Sequence, residues 1–256
     1  MKTGREKCDN APIVKVPLGA VPKSFTLIMP YYENPDFFRK QIGFWRGLPE
    51  DLRQYMHCII VDDGSPGHPA EQIVLEEFRW DRPIADFQLF RIEVDVRWNW
   101  LAARNIGAVH ASMVWVMLTD MDHVLTAEVL KTLVYGQHDL NVIYRFSRRE
   151  HSGEKIHPHP NSWFMTKAMF WKIGGYDERM SGYYGSDGYY RRRCAETAPI
   201  RIMADELVRY EKLGDSSTVK YLRKQPEDAK LKEIVRAFPK GSKPKILSFR
   251  YHKVQL

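Results

Sequence analysis

The stretch Val114-Trp115-Val116-Met117-Leu118-Thr119-Asp120-Met121-Asp122-His123 decides how the chain is read. Its first five residues are apolar, with β-forming side chains, and are bounded by polar ones. That pattern predicts a buried strand. Two carboxylates follow at i and i+2, where the strand ends. At the carboxyl edge of an open α/β sheet, that is where ligands bind. An acidic pair there, with no Lys or Arg beside it in sequence, suits a hard divalent cation that also holds phosphate oxygens. The structural alternative has Asp122 capping a helix that begins near Thr126.

Strand and helix signals alternate on the N-terminal side. Residues 24–29 read as a first strand ended by Pro30, and Tyr31-Tyr32-Glu33-Asn34-Pro35 as the loop after it. Phe37, Phe38, Ile42, Trp45 and Leu48 recur at helical spacing. Residues 56–61 form a second strand that runs into the turn cluster Asp62-Asp63-Gly64-Ser65-Pro66-Gly67. Residues 70–80 read as a helix, 87–94 as a strand and 100–112 as a helix. This alternation predicts βαβ units and a mostly parallel sheet. It gathers Asp62, Asp63, Asp120 and Asp122 on one rim. Their repulsion is costly unless a cation or a hydrogen-bonding ligand offsets it. Downstream, 126–137 reads as a helix, 141–147 as a strand, and 148–161 as a polar loop with His151, His157 and His159. A short strand at 162–165 and a helix at 167–173 follow, the latter stopped by Gly174-Gly175. A Gly- and Tyr-rich loop at 182–188 precedes a helix through Glu196, and 200–203 form a last strand.

The chain has 256 residues, 44% of them hydrophobic and 12% aromatic, enough for a sizeable core and against global disorder. A formal net charge of +7 favours anionic partners: nucleoside diphosphates, nucleic acid or an acidic membrane surface. Cys8, Cys58 and Cys194 lack metal-type spacing and suggest free thiols in a reducing compartment. The N-terminus has no apolar signal-peptide core, and no apolar stretch approaches the ~20 residues of a membrane span. A cytoplasmic location follows as the expectation, with peripheral membrane contact left open.

A series of short motifs resembles the inverting, family 2-type glycosyltransferases of the GT-A fold. Pro30-Tyr31-Tyr32-Glu33-Asn34 resembles the first-strand exit that cradles the nucleobase. Val61-Asp62-Asp63-Gly64-Ser65 is similar to the family's Asp-Asp-Gly-Ser turn, and Ala103-Arg104-Asn105-Ile106-Gly107-Ala108 to its Ala-Arg-Asn-x-Gly helix. Asp120-Met121-Asp122 resembles the Asp-x-Asp metal motif, and Gly174-Gly175-Tyr176-Asp177-Glu178 the Gly-Gly-Phe/Tyr-Asp-Glu segment. Gly185-Ser186-Asp187, followed by Arg191, resembles the segment that supplies the catalytic base, with Ser186 where the family often has Glu or Gly. Each motif alone is weak; six in order are strong.

The resemblance implies an α/β GT-A fold, with a Rossmann-like, mostly parallel central sheet flanked by helices and a C-terminal acceptor-side extension. It divides the chain into an N-terminal arm (1–22), a catalytic domain (23–214) and a basic extension (215–256). Within the catalytic domain, 23–125 would hold the nucleotide-sugar and 126–214 the acceptor. The implied reaction moves a sugar from a nucleotide-diphosphate sugar, a UDP-sugar above all, to an acceptor hydroxyl. Asp187 is the implied base, or else a helix N-cap. Pro30, Tyr32, Glu33, Asp62, Asp63, Arg104 and Asp120 are the implied nucleotide-sugar contacts. One of Asp62 and Asp63 would take the N3–H of a uracil-like base while the other shapes the turn. Arg104 would meet the base or diphosphate, or pair with an Asp of the rim. Asp120 and Asp122 would hold Mn²⁺ or Mg²⁺ on the diphosphate. His252 is the first candidate for a third ligand, ahead of His123, His157 and His159. Trp163, with Trp98 and Trp100, reads as core or as a sugar platform, and Tyr183 and Tyr184 as the acceptor mouth or a loop wall. The acceptor expected is a glycan, a lipid-linked glycan or a hydroxymethylated base in DNA, the last on the +7 charge and the Lys-rich tail. Competing readings are a non-catalytic nucleotide or nucleic-acid binding module on the same scaffold, and a nucleotidyltransferase.

Overall fold

The computed structural model describes residue 8 and residues 10–96, 98–183, 185–210, 227–238 and 242–256, with backbone alone for 227–230. Its strands are β1 (Ile13–Val14), β2 (Phe25–Tyr31), β3 (Met56–Asp62), β4 (Phe87–Ile92), β5 (Trp115–Leu118), β6 (His123–Val124), β7 (Ile143–Glu150), β8 (Lys155–Ile156), β9 (Trp163–Thr166), β10 (Ile200–Arg209) and β11 (Tyr251–Lys253). They form one sheet in the order β1-β10-β7-β9-β5-β2-β3-β4-β11, with β6 on β10 and β8 on β7. The helices are α1 (Pro35–Gly47), α2 (Glu50–Arg53), α3 (Ala70–Glu77), α4 (Trp100–His110), α5 (Ala127–Tyr135), α6 (Lys167–Ile173), α7 (Asp187–Thr197) and α8 (Glu227–Ala237).

The central strands are apolar on both faces because both faces are covered. Phe25, Leu27, Met29 and Tyr31 of β2 join one core with α1, α3 and α5. Ile28, between them, joins the other core with α4, α6 and α7. Helix starts and stops follow local chemistry. Asn34 caps α1 at the Phe37 N–H, with Pro35 as first helical residue. Thr126 caps α5 at the Val129 N–H, so the helix after the acidic pair does not use Asp122 as its cap. Gly174 ends α6 in the left-handed conformation.

The β2–β3–β4 block and its neighbour β5 are parallel. Antiparallel β9 sits between β5 and β7, joining the parallel block to the parallel pair β7–β10. Several boundaries differ from expectation, two of them for a plain physical reason. β2 does not stop at Pro30 but runs to Tyr31. The Tyr31 carbonyl faces β3 and that of Ile28 faces β5, so Pro30's missing N–H falls on the β5 side. There β5 has already ended at Leu118, opposite Ile28. β10 runs on past Met203 through a register shift to Arg209, the charged Asp205-Glu206 having masked its second half.

The C-terminal residues are built into the fold. β11 adds antiparallel to β4. Glu178 accepts from the Leu247 N–H at 2.8 Å and the Ser248 N–H at 2.6 Å, and from Asn105 of α4 at 2.8 Å. Residues 215–226 of the predicted basic extension lie outside the described residues.

Helix α4 lies so close to β2 that a Cβ at Gly107 would run into the Cγ2 of Ile28, a stiff β-branched side chain. Gly107→Ala should therefore cost about 1–3 kcal/mol by overpacking. A thermal melt should show a drop of several degrees, and an unchanged midpoint would contradict the packing described.

Candidate active site

The rim begins at the ends of β2 and β3. Asp62 is buried, with Oδ1 accepting from the Ser65 N–H and Oδ2 from the Ala70 N–H, both at 2.8 Å. Its carboxylate shapes the turn and starts α3. Burial pushes its pKa up, against the pull of those two N–H groups. Gly64 sits at φ +77°, where a Cβ would stand 2.5 Å from the Val94 carbonyl oxygen, so glycine is required. Asp63 differs from its neighbour. It is 3% exposed, it takes a hydrogen bond from the Asn99 backbone N–H, and its Oδ1 has no partner. Desolvation raises it well above the usual carboxylate range. Of the two, Asp63 holds the idle acceptor.

Glu33, at φ 45°, accepts from the Gly67 and His68 N–H groups at 2.7 and 2.9 Å, and its own N–H donates to Ser65 Oγ at 3.0 Å. It laces the loop after β2 to the loop after β3. The Tyr32 hydroxyl donates to Asp95 at 3.1 Å; burial, then Asp95, push it up to about 12. Pro30 is half-buried beside them.

The acidic pair after β5 is divided in the same way. Arg104 of α4 is fully buried. Its Nη1 donates to the Asn161 carbonyl at 2.7 Å and the Tyr176 hydroxyl at 2.9 Å, and its Nη2 donates to Asp120 Oδ1. The guanidinium also lies 4.9 Å from the Trp100 ring centroid. The other Asp120 oxygen faces His159 Nε2 at 3.5 Å. Desolvation raises Asp120 despite Arg104, and burial holds His159 well below its usual range. The acidic pair that lacks a cation nearby in sequence has one in space.

Asp122 keeps a 41% exposed side chain, with Oδ1 2.6 Å from His123 Nδ1. His123 is buried, and its Nε2 lies 3.1 Å from Arg148 Nη1. The ring thus bridges Asp122, on its Nδ1 side, and Arg148, on its Nε2 side. Burial raises Asp122, but His123 first, then Arg209 and Arg148, outweigh it and hold the carboxylate below its usual range. This donor set fits Mg²⁺ or Mn²⁺ in one way: an ionised, outward Asp122 oxygen as the protein ligand, with diphosphate oxygens and water completing the shell. Among the described residues, no group of three or more His, Cys, Asp or Glu is placed to hold a metal by itself. Asp120 is already neutralised by Arg104. His252 is not brought to the pair: it lies on β11, four positions along the sheet from β5, beside Glu93 at 3.7 Å.

Asp187 is the first residue of α7 and pairs with Arg191 at 3.2 Å. Ser186 occupies the cap position and makes no side-chain cap, so Asp187 is not the N-cap. One turn on, Tyr190 stacks on Tyr176 at 3.8 Å between centroids, tying α7 to the Arg104–Asp120 pair. Trp163 is a correction: it is fully buried against Tyr190 and Arg145 and offers no face to a sugar. Tyr183 is half-buried beside the core, and Tyr184 lies outside the described residues. Sequence reading undervalued His123 and His159, whose rings meet at 4.0 Å, and missed Arg148, Arg209 and Asn99. Only the adjacency of His123 to Asp122 signalled any of them.

A parallel α/β block, an antiparallel joint at β9 and a carboxylate rim define a protein of the GT-A class. The sequence profile described as Glycosyl transferase family 2 matches residues 26–196, and the chain belongs to that family. The mannosyltransferase PcManGT from Pyrobaculum calidifontis, in complex with GDP-Man and Mn²⁺, superposes with a TM-score of 0.63 at 14% identity, over 94% of this chain and 71% of that one. S. aureus TarS 1–349 in complex with UDP-GlcNAc gives 0.61 at 15%, over 83% and 64%. Another structure of TarS 1–349 gives 0.57 at 14%, over 73% of this chain and 60% of that one, so the chain spans about three-fifths of its length. At these identities the likeness speaks for the fold alone. No curated protein sequence matches. No helix among the described residues is long and apolar enough to cross a membrane.

Asp63 gives a signed test. Its folded pKa is raised, so ionising it works against folding above the unfolded value of about 3.9, and this penalty fades as pH falls from the raised folded value toward the unfolded one. Asp63→Asn should melt higher than wild type at pH 7. A gain of about 1 kcal/mol is worth about 2–4 °C in a domain of this size. The advantage should shrink toward pH 4, and a variant less stable at pH 7 would refute the reading.

Proposed function

We propose that the protein is a metal-dependent, inverting glycosyltransferase that moves a sugar from a UDP-sugar to an acceptor hydroxyl. The observation that carries this is the pairing on one rim of an idle buried acceptor, Asp63 Oδ1, with an outward carboxylate, Asp122, whose partner His123 holds it ionised. The first suits the N–H of a base and the second suits the cation on a diphosphate. The complexes of PcManGT with GDP-Man and of TarS 1–349 with UDP-GlcNAc support a nucleotide-sugar donor.

Asp63 would accept the N3–H of uracil, while Asp62 and Glu33 hold the loops around it. Asp122 would hold Mn²⁺ or Mg²⁺, which when bound stabilises the leaving diphosphate as a Lewis acid. Arg104 fixes Asp120 beside it. Asp187, oriented by Arg191, would take the proton of the acceptor hydroxyl. The acceptor oxygen then bonds to the anomeric carbon from the face opposite the diphosphate, whose bond to that carbon breaks, so configuration inverts in one displacement. The acceptor is a glycan, a lipid-linked glycan or a hydroxymethylated base in DNA; the +7 charge fits the polyanion among these.

The test is release of nucleoside diphosphate from a panel of nucleotide-sugars, with Mn²⁺, Mg²⁺ or EDTA, and with hydroxymethylated DNA or glycan acceptors. Asp187→Ala should lower turnover by about 10²–10⁴-fold, the range for loss of a general base. Asp122→Ala should lose the metal dependence together with most of the activity. Unchanged turnover in both would remove the site assignment. Release of pyrophosphate would make the protein a nucleotidyltransferase, and an NMR spectrum showing a retained anomeric configuration would exclude the single displacement.

A further inference from the structure

We propose that Asn99 is a specificity-determining residue that reads the nucleobase with Asp63: its carboxamide donates to a ring carbonyl of uracil while Asp63 Oδ1 takes the adjoining N3–H. This rests on the nucleotide-sugar reading above. Asn99 stands at the N-cap of α4, where Asn is among the best capping residues. It does not cap. Its side chain makes no bond to the first turn, and the Ala102 and Ala103 N–H groups turn instead to its backbone carbonyl. The side chain is nevertheless fully buried, and neither its Oδ1 nor its Nδ2 meets a partner. A buried amide with both ends idle is costly and rare, and it asks for a ligand.

The neighbour identifies the ligand's chemistry. The Asn99 backbone N–H bonds to the Asp63 carboxylate, so the two side chains with unused polar atoms adjoin. The backbone is forced into this arrangement from both sides. Trp98 sits at φ 59°, a strained value for a bulky residue, and Gly64 passes against the Val94 carbonyl where no Cβ fits. The result is one free carboxylate oxygen beside one free amide. Uracil presents one N–H flanked by carbonyls and matches this pair. Cytosine puts a lone pair at N3, facing the carboxylate. Guanine presents N1–H and N2–H together and would call on Asn99 Oδ1 as the second acceptor, so GDP is the competitor that the experiment has to separate from UDP.

The experiment is calorimetric binding of UDP, CDP, GDP, 2-thio-UDP and 4-thio-UDP to wild type, Asn99→Ala and Asn99→Ser, with melting curves as a check on folding. Sulfur is a poor acceptor, so wild type should bind one thio analogue about tenfold more weakly than UDP, as for one lost hydrogen bond. Asn99→Ala should bind UDP about tenfold more weakly than wild type, with the thio penalty gone and the preference over CDP reduced. A thio penalty that persists in both variants assigns the carbonyl to another group and overturns the proposal. So does a wild type with no thio penalty at either position, a result that needs no variant, and so does a preference for GDP. A wild type that binds UDP normally while the Asn99 variants match it overturns the proposal alone. A wild type that binds none of these diphosphates overturns the donor site together with it.

Discussion

Arg104 carries a full charge with no exposed surface, and four segments of the chain converge to offset it. Asp120 comes from the end of β5, the Asn161 carbonyl from the loop before β9, Tyr176 from the loop after α6, and Trp100 from the helix of Arg104 itself. Removing one partner of a buried ion pair costs about 3–5 kcal/mol, because the other charge is left stranded. The pair therefore constrains the relative position of everything it touches. Through Tyr176 and its stack on Tyr190, the constraint reaches the helix that begins with Asp187.

The rim carries two acidic doublets, and each is split between a structural and a free member. Asp62 spends both oxygens on backbone N–H groups, and Asp63 keeps one idle. Asp120 is neutralised by Arg104, and Asp122 turns outward under the direction of His123. Four carboxylates share one edge because two are satisfied from within. The opposed pKa shifts follow from this. Asp63 is desolvated without a counter-charge and rises, while Asp122 has His123, Arg209 and Arg148 around it and falls.

The C-terminal segment strengthens the same region. Asn105, next to Arg104, donates to the Tyr176 carbonyl and to Glu178, and accepts from the Tyr176 N–H. Glu178 in turn holds the backbone of Leu247 and Ser248, just before β11 joins the sheet at β4. A Cβ on Gly175 would stand 2.8 Å from Asn105 Oδ1, so the glycine keeps this clasp closed.

The sequence by itself determined the parallel block and its rim. Apolar runs of strand length, turn clusters at strand ends and a glycine stop at a helix end are local signals, and they were legible at Val61, Leu118 and Gly174, whereas the helix cap at Asn34 was not read from the sequence. It also determined that the two acidic doublets would meet, because parallel strands send their carboxyl ends to one edge. Only the tertiary structure decided which member of each doublet is free. That depends on Arg104 reaching Asp120, Arg148 reaching His123, and the Asn99 N–H reaching Asp63, contacts between residues 16, 25 and 36 positions apart. The burial of Trp163 and the distance of His252 from Asp122 were likewise invisible, since exposure and strand order are properties of the assembled sheet. Local pattern sets where a carboxylate stands. What it can do depends on which charges and N–H groups folding brings to it from elsewhere in the chain.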